Sequence, residues 1–309
     1  MLTDGTPRTA IWPIGLLTRA KIAPTRPSSG DWKIAMSFEP SSQSSAVRAS
    51  TTLLVRDRPS FQVLMVRRNE KVAFAGGALV FPGGKVDPQD EDKRWEDHTA
   101  GWNEMSSEQR ALRIAAIRET FEETGLLVSL RTGTECGVET TAIAREAMCA
   151  GKLDFLSFVQ QAEVILDISQ PVQFANWITP EFMPKRFDTH FFILGVGSEQ
   201  QVTSDGSEIT HAEWIAPREA LWLGLAKERI LTFPTRLNLQ MLADSGSMEE
   251  ALARARERVI VPVQSRIEQR GSRRVLTIRP DAGYGCVEEP VSELAARGHT
   301  VPAAAGESS

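Results

Sequence analysis

Cysteine is scarce in this chain: Cys136, Cys149 and Cys286 stand far apart, with no Cys-x-x-Cys spacing. An odd, scattered set argues against a disulfide framework and against a cysteine-based zinc site, and each thiol is expected to serve as a small buried apolar residue. No stretch approaches the ~18 consecutive apolar residues of a membrane helix. Neither sign of charge dominates: Lys and Arg number 35, Asp and Glu 40, and the formal net charge is -5. Nothing global therefore draws the chain to nucleic acid or to an anionic membrane, and an anionic ligand would need local cations or a metal. No repeat of solenoid period is present. With 41% hydrophobic residues, the chain can bury a substantial core and reads as a reduced, cytoplasmic, globular protein.

The N-terminal stretch 1–45 carries five prolines, a serine cluster and poor periodicity, so it reads as a disordered tail, with translation expected to begin at Met36. Order is expected from about Ala49. Thr51–Val55 and Phe61–Val66, separated by Asp57-Arg58-Pro59, read as a hairpin. Ala78–Phe81 is a short apolar strand ended by Pro82-Gly83-Gly84. Residues 85–105 hold seven acidic and three basic residues and read as a loop or loose helix. Helices are expected over 142–150, 154–166, 217–229, 234–243 and 247–258, and strands over 172–178, 189–196 and 209–215. Val259–Val263 and Arg274–Ile278 read as a late strand pair, with disorder from Pro280 onward.

Ser106–Thr124 carries the strongest helical signal. Ser106-x-x-Gln109 forms a capping box and Gly125 a stop. At ~100° per residue, Glu119, Glu122 and Glu123 fall within roughly a third of the circumference, with Ile114, Ile117 and Phe121 opposite. One face can bury against a sheet while the other presents three carboxylates. Such crowding is self-repulsive, and hard oxygen ligands in this arrangement suit Mg²⁺ or Mn²⁺. Arg118, one turn before Glu122, can orient a carboxylate through paired hydrogen bonds. Taken alone, Glu-x-x-Glu-Glu is an ordinary solvated acidic face; Phe81-Pro82-Gly83-Gly84 upstream, where glycines allow close approach of backbone to a phosphate or metal, shifts the reading.

Together these residues resemble the Nudix hydrolases. Their signature runs Gly, five residues, Glu, seven residues, then Arg-Glu-x-x-Glu-Glu-x-Gly and an apolar residue. Gly84, Arg118, Glu119, Glu122, Glu123, Gly125 and Leu126 match it. The resemblance covers about residues 49–245 and implies an α/β (α+β) Nudix fold, a mixed sheet between helices, with extra helices and a loop inserted in the signature. Gly84 and Arg118 stand 34 positions apart, where the signature has 14. The slot eight before Arg118 holds Arg110 instead of glutamate, and Glu108 or Asp87 are the candidates to substitute.

Within the family, three stretches resemble the long, loop-inserted branch related to the peroxisomal coenzyme A diphosphatases. They are Ala78–Asp87, Ala115–Glu123, and Trp177–Pro180 with Pro184–Phe192. Of the coenzyme A signature that precedes Phe81, Arg68 and Gly77 fit and Ala73 departs. The chain ends Glu307-Ser308-Ser309, without a peroxisomal tripeptide.

The resemblance implies a catalytic set of Arg118, Glu119, Glu122 and Glu123. Glu119, Glu122 and Glu123 would be metal ligands for Mg²⁺ or Mn²⁺, and Arg68, Gly83, Gly84, Lys85 and Arg186 substrate contacts. Arg67, Lys71 and Lys185 read as surface cations, His190 as a hydrogen-bonded core histidine, and Glu208 and Glu213 as turn carboxylates. The expected domain spans 46–260, with 261–309 an extension. The expected partner is a small nucleotide diphosphate, with coenzyme A or an acyl-CoA first. ADP-ribose, NADH, dinucleoside polyphosphates and a catalytically silent ligand-binding Nudix fold are the alternatives. No membrane partner is expected, a homodimer is compatible with this reading, and the arginine-rich stretch 250–279 reads as a solvated extension and not as a nucleic-acid surface.

Overall fold

The computed structural model describes residues 45–70, 76–131, 138–181, 183, 185–197, 202–203 and 209–296. The expectations for the N-terminal tail and for Lys71, Ala73, Cys136 and Glu208 lie outside these residues.

The chain opens with β1 (Val47–Arg56), β2 (Gln62–Arg68), β3 (Ala78–Val80) and β4 (Gly83–Lys85). Three 3₁₀ turns (Pro88–Glu91, Lys93–His98, Trp102–Glu104) and the two-residue β5 (Thr99–Ala100) lead to α1 (Ser107–Thr124). Then come β6 (Ser129–Arg131), α2 (Val138–Cys149), α3 (Phe155–Gln161), β7 (Ile165–Asp167), β8 (Val172–Ile178), β9 (Phe187–Gly195) and β10 (Ile209–Ile215). The chain continues through α4 (Pro217–Leu225), β11 (Ile230–Leu231), α5 (Phe233–Leu242), α6 (Met248–Glu257) and β12 (Pro262–Gln264). It closes with β13 (Arg266–Arg270), β14 (Arg273–Thr277), β15 (Glu288–Pro290) and α7 (Val291–Ala296).

The main sheet is mixed and runs β11-β3-β2-β1-β9-β8-β12, with β10 paired to β2 and β4 to β1. Its central strand explains its own sequence. Leu53, Leu54 and Val55 are all fully buried because both faces of the sheet are covered. Leu53 and Val55 enter a core shared with Phe174, Trp177 and Leu237, while Leu54 points to the other side, against Ile114, Ile117 and Phe121 of α1. The polar residues of the same strand dock the helix: Ser50 Oγ donates to the Leu112 carbonyl at 2.6 Å and Thr52 Oγ1 to the Ala116 carbonyl at 3.2 Å. The capping box at Ser106 and Gln109 and the left-handed Gly125 bound α1 as its sequence requires.

Four differences from the sequence expectations have physical causes. The 85–105 stretch is pinned, because Trp95 is fully buried among Phe155 and its neighbours and donates from Nε1 to the Gln89 carbonyl at 2.8 Å. The helix expected to 166 stops at Gln161, since Ile165–Asp167 pairs with both β5 and β6. Residues 259–263 and 274–278 do not pair together: β12 joins β8 in parallel, while β14 pairs with β13 and β15 in a separate sheet. Order continues past Pro280 through Ala296, because Ala282, Tyr284 and Leu294 fill the same core as the main sheet. Cys149 is exposed and Cys286 partly so, against the expectation that both are buried.

Tyr284 is the anchor of this last segment. Its hydroxyl accepts from Trp177 Nε1 at 2.8 Å and donates to Asn238 Oδ1 at 2.6 Å, and burial pushes its pKa up to about 12. Tyr284→Phe leaves both buried partners unsatisfied, at an expected cost of roughly 1–3 kcal/mol. Urea unfolding measures this, and an unchanged midpoint would show that the network does not stabilise the fold.

Candidate active site

β1 and β4 both pack against α1, the helix that bears the candidate residues. Thr51 and Ser50 pair with Gly83 and Gly84. At Gly83, with φ +156, an added Cβ would lie 2.3 Å from the Ser50 carbonyl oxygen; at Gly84 it would lie 2.4 Å from Glu119 Cδ. The two glycines thus permit one strand to touch β1 on one side and the Glu119 carboxylate on the other. The Gly83 amide donates to Glu123 Oε2 at 2.9 Å.

Arg118 is the centre. Its side chain is 5% exposed, and each of its five N–H donors has an acceptor. Nε and Nη2 form a bidentate pair with Asp90 at 2.9 Å each. Nη1 reaches Glu119 Oε1 at 2.9 Å and Glu122 Oε2 at 3.1 Å, and Nη2 also donates to the Lys85 carbonyl at 2.9 Å. This saturates the planar fork. Burial alone would lower the Arg118 pKa, but the bond to Asp90 and the charges of Glu119, Asp90 and Glu122 outweigh it and hold the guanidinium firmly charged.

Asp90 was not anticipated. It lies six positions after Gly84, in the slot where the Nudix signature has its first glutamate. Counting forward from the glycine would have found it; counting back from Arg118 gave Arg110, because the insertion follows Asp90. Of the substitutes considered, Glu108 lies in the exposed first turn of α1. Asp87 caps the 3₁₀ turn by accepting from the Gln89 amide, while its own amide donates to Asp90 Oδ2 at 2.8 Å. Arg110 instead packs over the Trp102 ring and donates to the Trp102 and Met105 carbonyls.

One guanidinium faces Asp90, Glu119 and Glu122, while Glu123 accepts from the Gly83 amide. Burial raises the Asp90 pKa more than Arg118 lowers it. It also raises Glu122 and takes Glu119 up to about 7. Among the described residues, no group of three His, Cys, Asp or Glu side chains is arranged to hold a metal ion as it stands. The expected triad of Glu119, Glu122 and Glu123 is divided, two turned to Arg118 and one to the Gly83 amide. The donor chemistry nevertheless fits a hard divalent cation: crowded carboxylate oxygens on one helix face, with more negative than positive charge and with burial that penalises it.

The remaining site residues divide. Lys85 reaches the site through its carbonyl, its side chain being exposed. Arg186 sits at the start of β9, donating from Nε to the Thr179 carbonyl at 3.2 Å, while its own carbonyl accepts from the Val47 amide. Arg68 closes β2 opposite Ile209, half-buried. His190 is hydrogen-bonded as expected, to Gln173 with Asp188 beside it, but it is half-buried on β9 and not part of the core. Glu213 faces Arg229 at 3.7 Å.

The family described as the NUDT19 Nudix domain matches residues 97–242, just under half of the chain. That match begins after Gly83, Gly84 and Asp90, so it is the geometry that ties these three to α1. The acyl-coenzyme A diphosphatase NUDT19 of Xenopus laevis is 26% identical over 205 residues, 52% of this chain and 54% of that protein. The human protein of the same name is 26% identical over 234 residues, 62% of each chain. The chain therefore spans about half to three-fifths of the length of these relatives. A solved NUDIX hydrolase from Alicyclobacillus acidocaldarius superposes with a TM-score of 0.58 at 28% identity, covering 67% of this chain and 96% of that one. The chain has the Nudix fold and resembles the coenzyme A diphosphatase branch.

Two outcomes are expected of this site. Asp90→Asn replaces a buried bidentate acceptor by an amide and leaves the guanidinium under-compensated; stability should fall by about 3 kcal/mol in urea unfolding. A loss under about 1 kcal/mol would mean that Glu119, Glu122 and the Lys85 carbonyl suffice for Arg118. The second outcome concerns pH. Glu119 titrates at about 7 folded against its ordinary 4.5, so between these values the native state holds a proton that the unfolded chain has released. Stability of the chelated protein should therefore fall as pH rises through this window and level off above it. Mg²⁺ should flatten the slope, and so should Glu119→Gln; a pH-independent midpoint in chelator would show that Glu119 is not perturbed.

Proposed function

We propose that this chain, whose fold is that of the Nudix hydrolases, is a divalent-metal-dependent hydrolase of a diphosphate linkage in a nucleotide derivative, with coenzyme A or an acyl-CoA the first candidates. The observation that carries the reading is the Arg118 hub, which holds Glu119 and Glu122 on one side of a helix whose Glu123 is bonded to the Gly83 amide. A surface acidic helix has no need of a buried arginine with five acceptors. The names of the relatives from Xenopus laevis and human favour coenzyme A derivatives over the other diphosphates.

Glu119, Glu122 and Glu123 would hold Mg²⁺ or Mn²⁺, which supplies charge neutralisation at the diphosphate and a more acidic water. The protein's own contribution is positional and electrostatic. Arg118 keeps two carboxylates from swinging into solvent, and Gly84 leaves open the volume a side chain would take from Glu119. Glu119, held between Gly84 and Arg118, is the carboxylate we assign to accept the proton of the attacking water. The water oxygen bonds to phosphorus, the bridging P–O bond breaks, and the bridging oxygen leaves with its electron pair on the other phosphate. From coenzyme A the products would be 3′,5′-adenosine diphosphate and 4′-phosphopantetheine. No covalent enzyme intermediate is needed.

The test is incubation of the purified protein with coenzyme A, ADP-ribose, NADH and diadenosine polyphosphates, with Mg²⁺, Mn²⁺ or chelator, and identification of products by mass. Metal-dependent release of 3′,5′-adenosine diphosphate is expected. Cleavage of another compound alone would retain the reaction and discard the coenzyme A assignment. Glu122→Gln and Glu123→Gln remove charge but keep shape, and each should lower turnover at least ~100-fold; near-normal rates would show that these carboxylates are not the working groups.

A further inference from the structure

We propose that Arg145 is a positioning residue for the carboxylate cluster, acting through the last turn of α1; the proposal rests on the hydrolase reading above. A helix ends with its last carbonyls unpaired and its dipole negative. In α1 this end coincides with the glutamates, so the least stable turn carries the groups that must stay in place.

Arg145 comes from the middle of α2 and is 8% exposed. Its Nε donates to the Glu122 carbonyl at 2.7 Å and its Nη2 to the Glu123 carbonyl at 2.6 Å. Nη1 donates to Thr203 Oγ1 at 2.8 Å, and the Thr203 amide donates in turn to the Thr124 carbonyl at 3.0 Å. Three successive carbonyls are thus held by one arginine and one threonine. Gly125 ends α1 in the left-handed region at φ +77, beside Arg145 Nη1 and Thr203 Oγ1.

The arrangement fixes the peptide planes on which Glu122 and Glu123 are mounted, while Arg118 holds their neighbour Glu119 and the Glu122 side chain from the front. The two arginines do different work. Arg118 binds three carboxylates and so opposes their charge; Arg145 binds no carboxylate of the cluster but two carbonyls of the helix end, and sets direction. A lysine at 145 keeps charge and stem but cannot span two adjacent carbonyls as a planar fork does.

The experiment compares wild type, Arg145→Ala, Arg145→Lys and Thr203→Val in three readouts: urea midpoint, kcat and KM on whichever diphosphate the wild type cleaves, and amide hydrogen exchange along α1. Arg145→Lys should keep a midpoint near wild type yet lose about 10-fold in kcat with KM little changed, as small misplacements of reacting groups do. Exchange should quicken in the last turn of α1 and not in its first. Should Arg145→Ala fail to fold, the lysine and Thr203→Val variants carry the test. Wild-type kcat per folded molecule in Arg145→Lys, with unchanged exchange at the end of α1, would overturn the proposal and leave Arg145 a packing residue. A wild type that cleaves no diphosphate would defeat the hydrolase reading, and the exchange readout would still decide whether Arg145 orders that turn.

Discussion

The site depends on the need of one buried guanidinium for acceptors. Arg118 has five N–H groups and almost no access to water, so the fold must bring an oxygen to each. It does so from the 3₁₀ turn at Asp90, from the end of β4 at Lys85, and from Glu119 and Glu122 on its own helix. Three segments are thereby fixed relative to one another at the edge of the main sheet. An unpaired buried charge costs several kcal/mol, which makes the arrangement close to all-or-none.

This constraint also explains how a long insertion can interrupt the signature without dissolving the site. The insertion begins after Asp90, so the acceptor stays close to Gly84, and Trp95 then nails the following turns into the core beside Phe155. Burial displaces the Glu119 and Glu122 pKa values upward even so, by more than the Arg118 charge draws them down. A site in this condition is prepared for a cation, and its backbone is secured from behind by α2.

Much was legible without coordinates wherever a local rule decides the outcome. The capping box of α1, its glycine stop, the opposed faces of Glu119 and Ile117, the β1–β2 hairpin and the strand at Ile209–Ile215 follow from periodicity and turn chemistry. What was missed depends on partners distant in sequence. Residues from Pro280 onward read as disordered, yet Tyr284 anchors 280–296 by reaching Trp177, 107 positions away. Val263 reads like a partner for the strand after it, yet pairs with Trp177 in β8, a choice that sheet geometry makes and local pattern cannot express.

The candidate site divides along the same line. The order and type of residues alone determined that a helix would display Glu119, Glu122 and Glu123 on one face behind a glycine-rich strand end, because helical spacing and glycine's freedom are properties of the local chain. Only the tertiary structure decided that Asp90 would satisfy Arg118, that Glu123 would turn to the Gly83 amide, and that Arg145 would hold the carbonyls of the last turn. Each of these is a buried or partly buried hydrogen bond between segments distant in sequence, and burial makes such a bond costly to leave unmade.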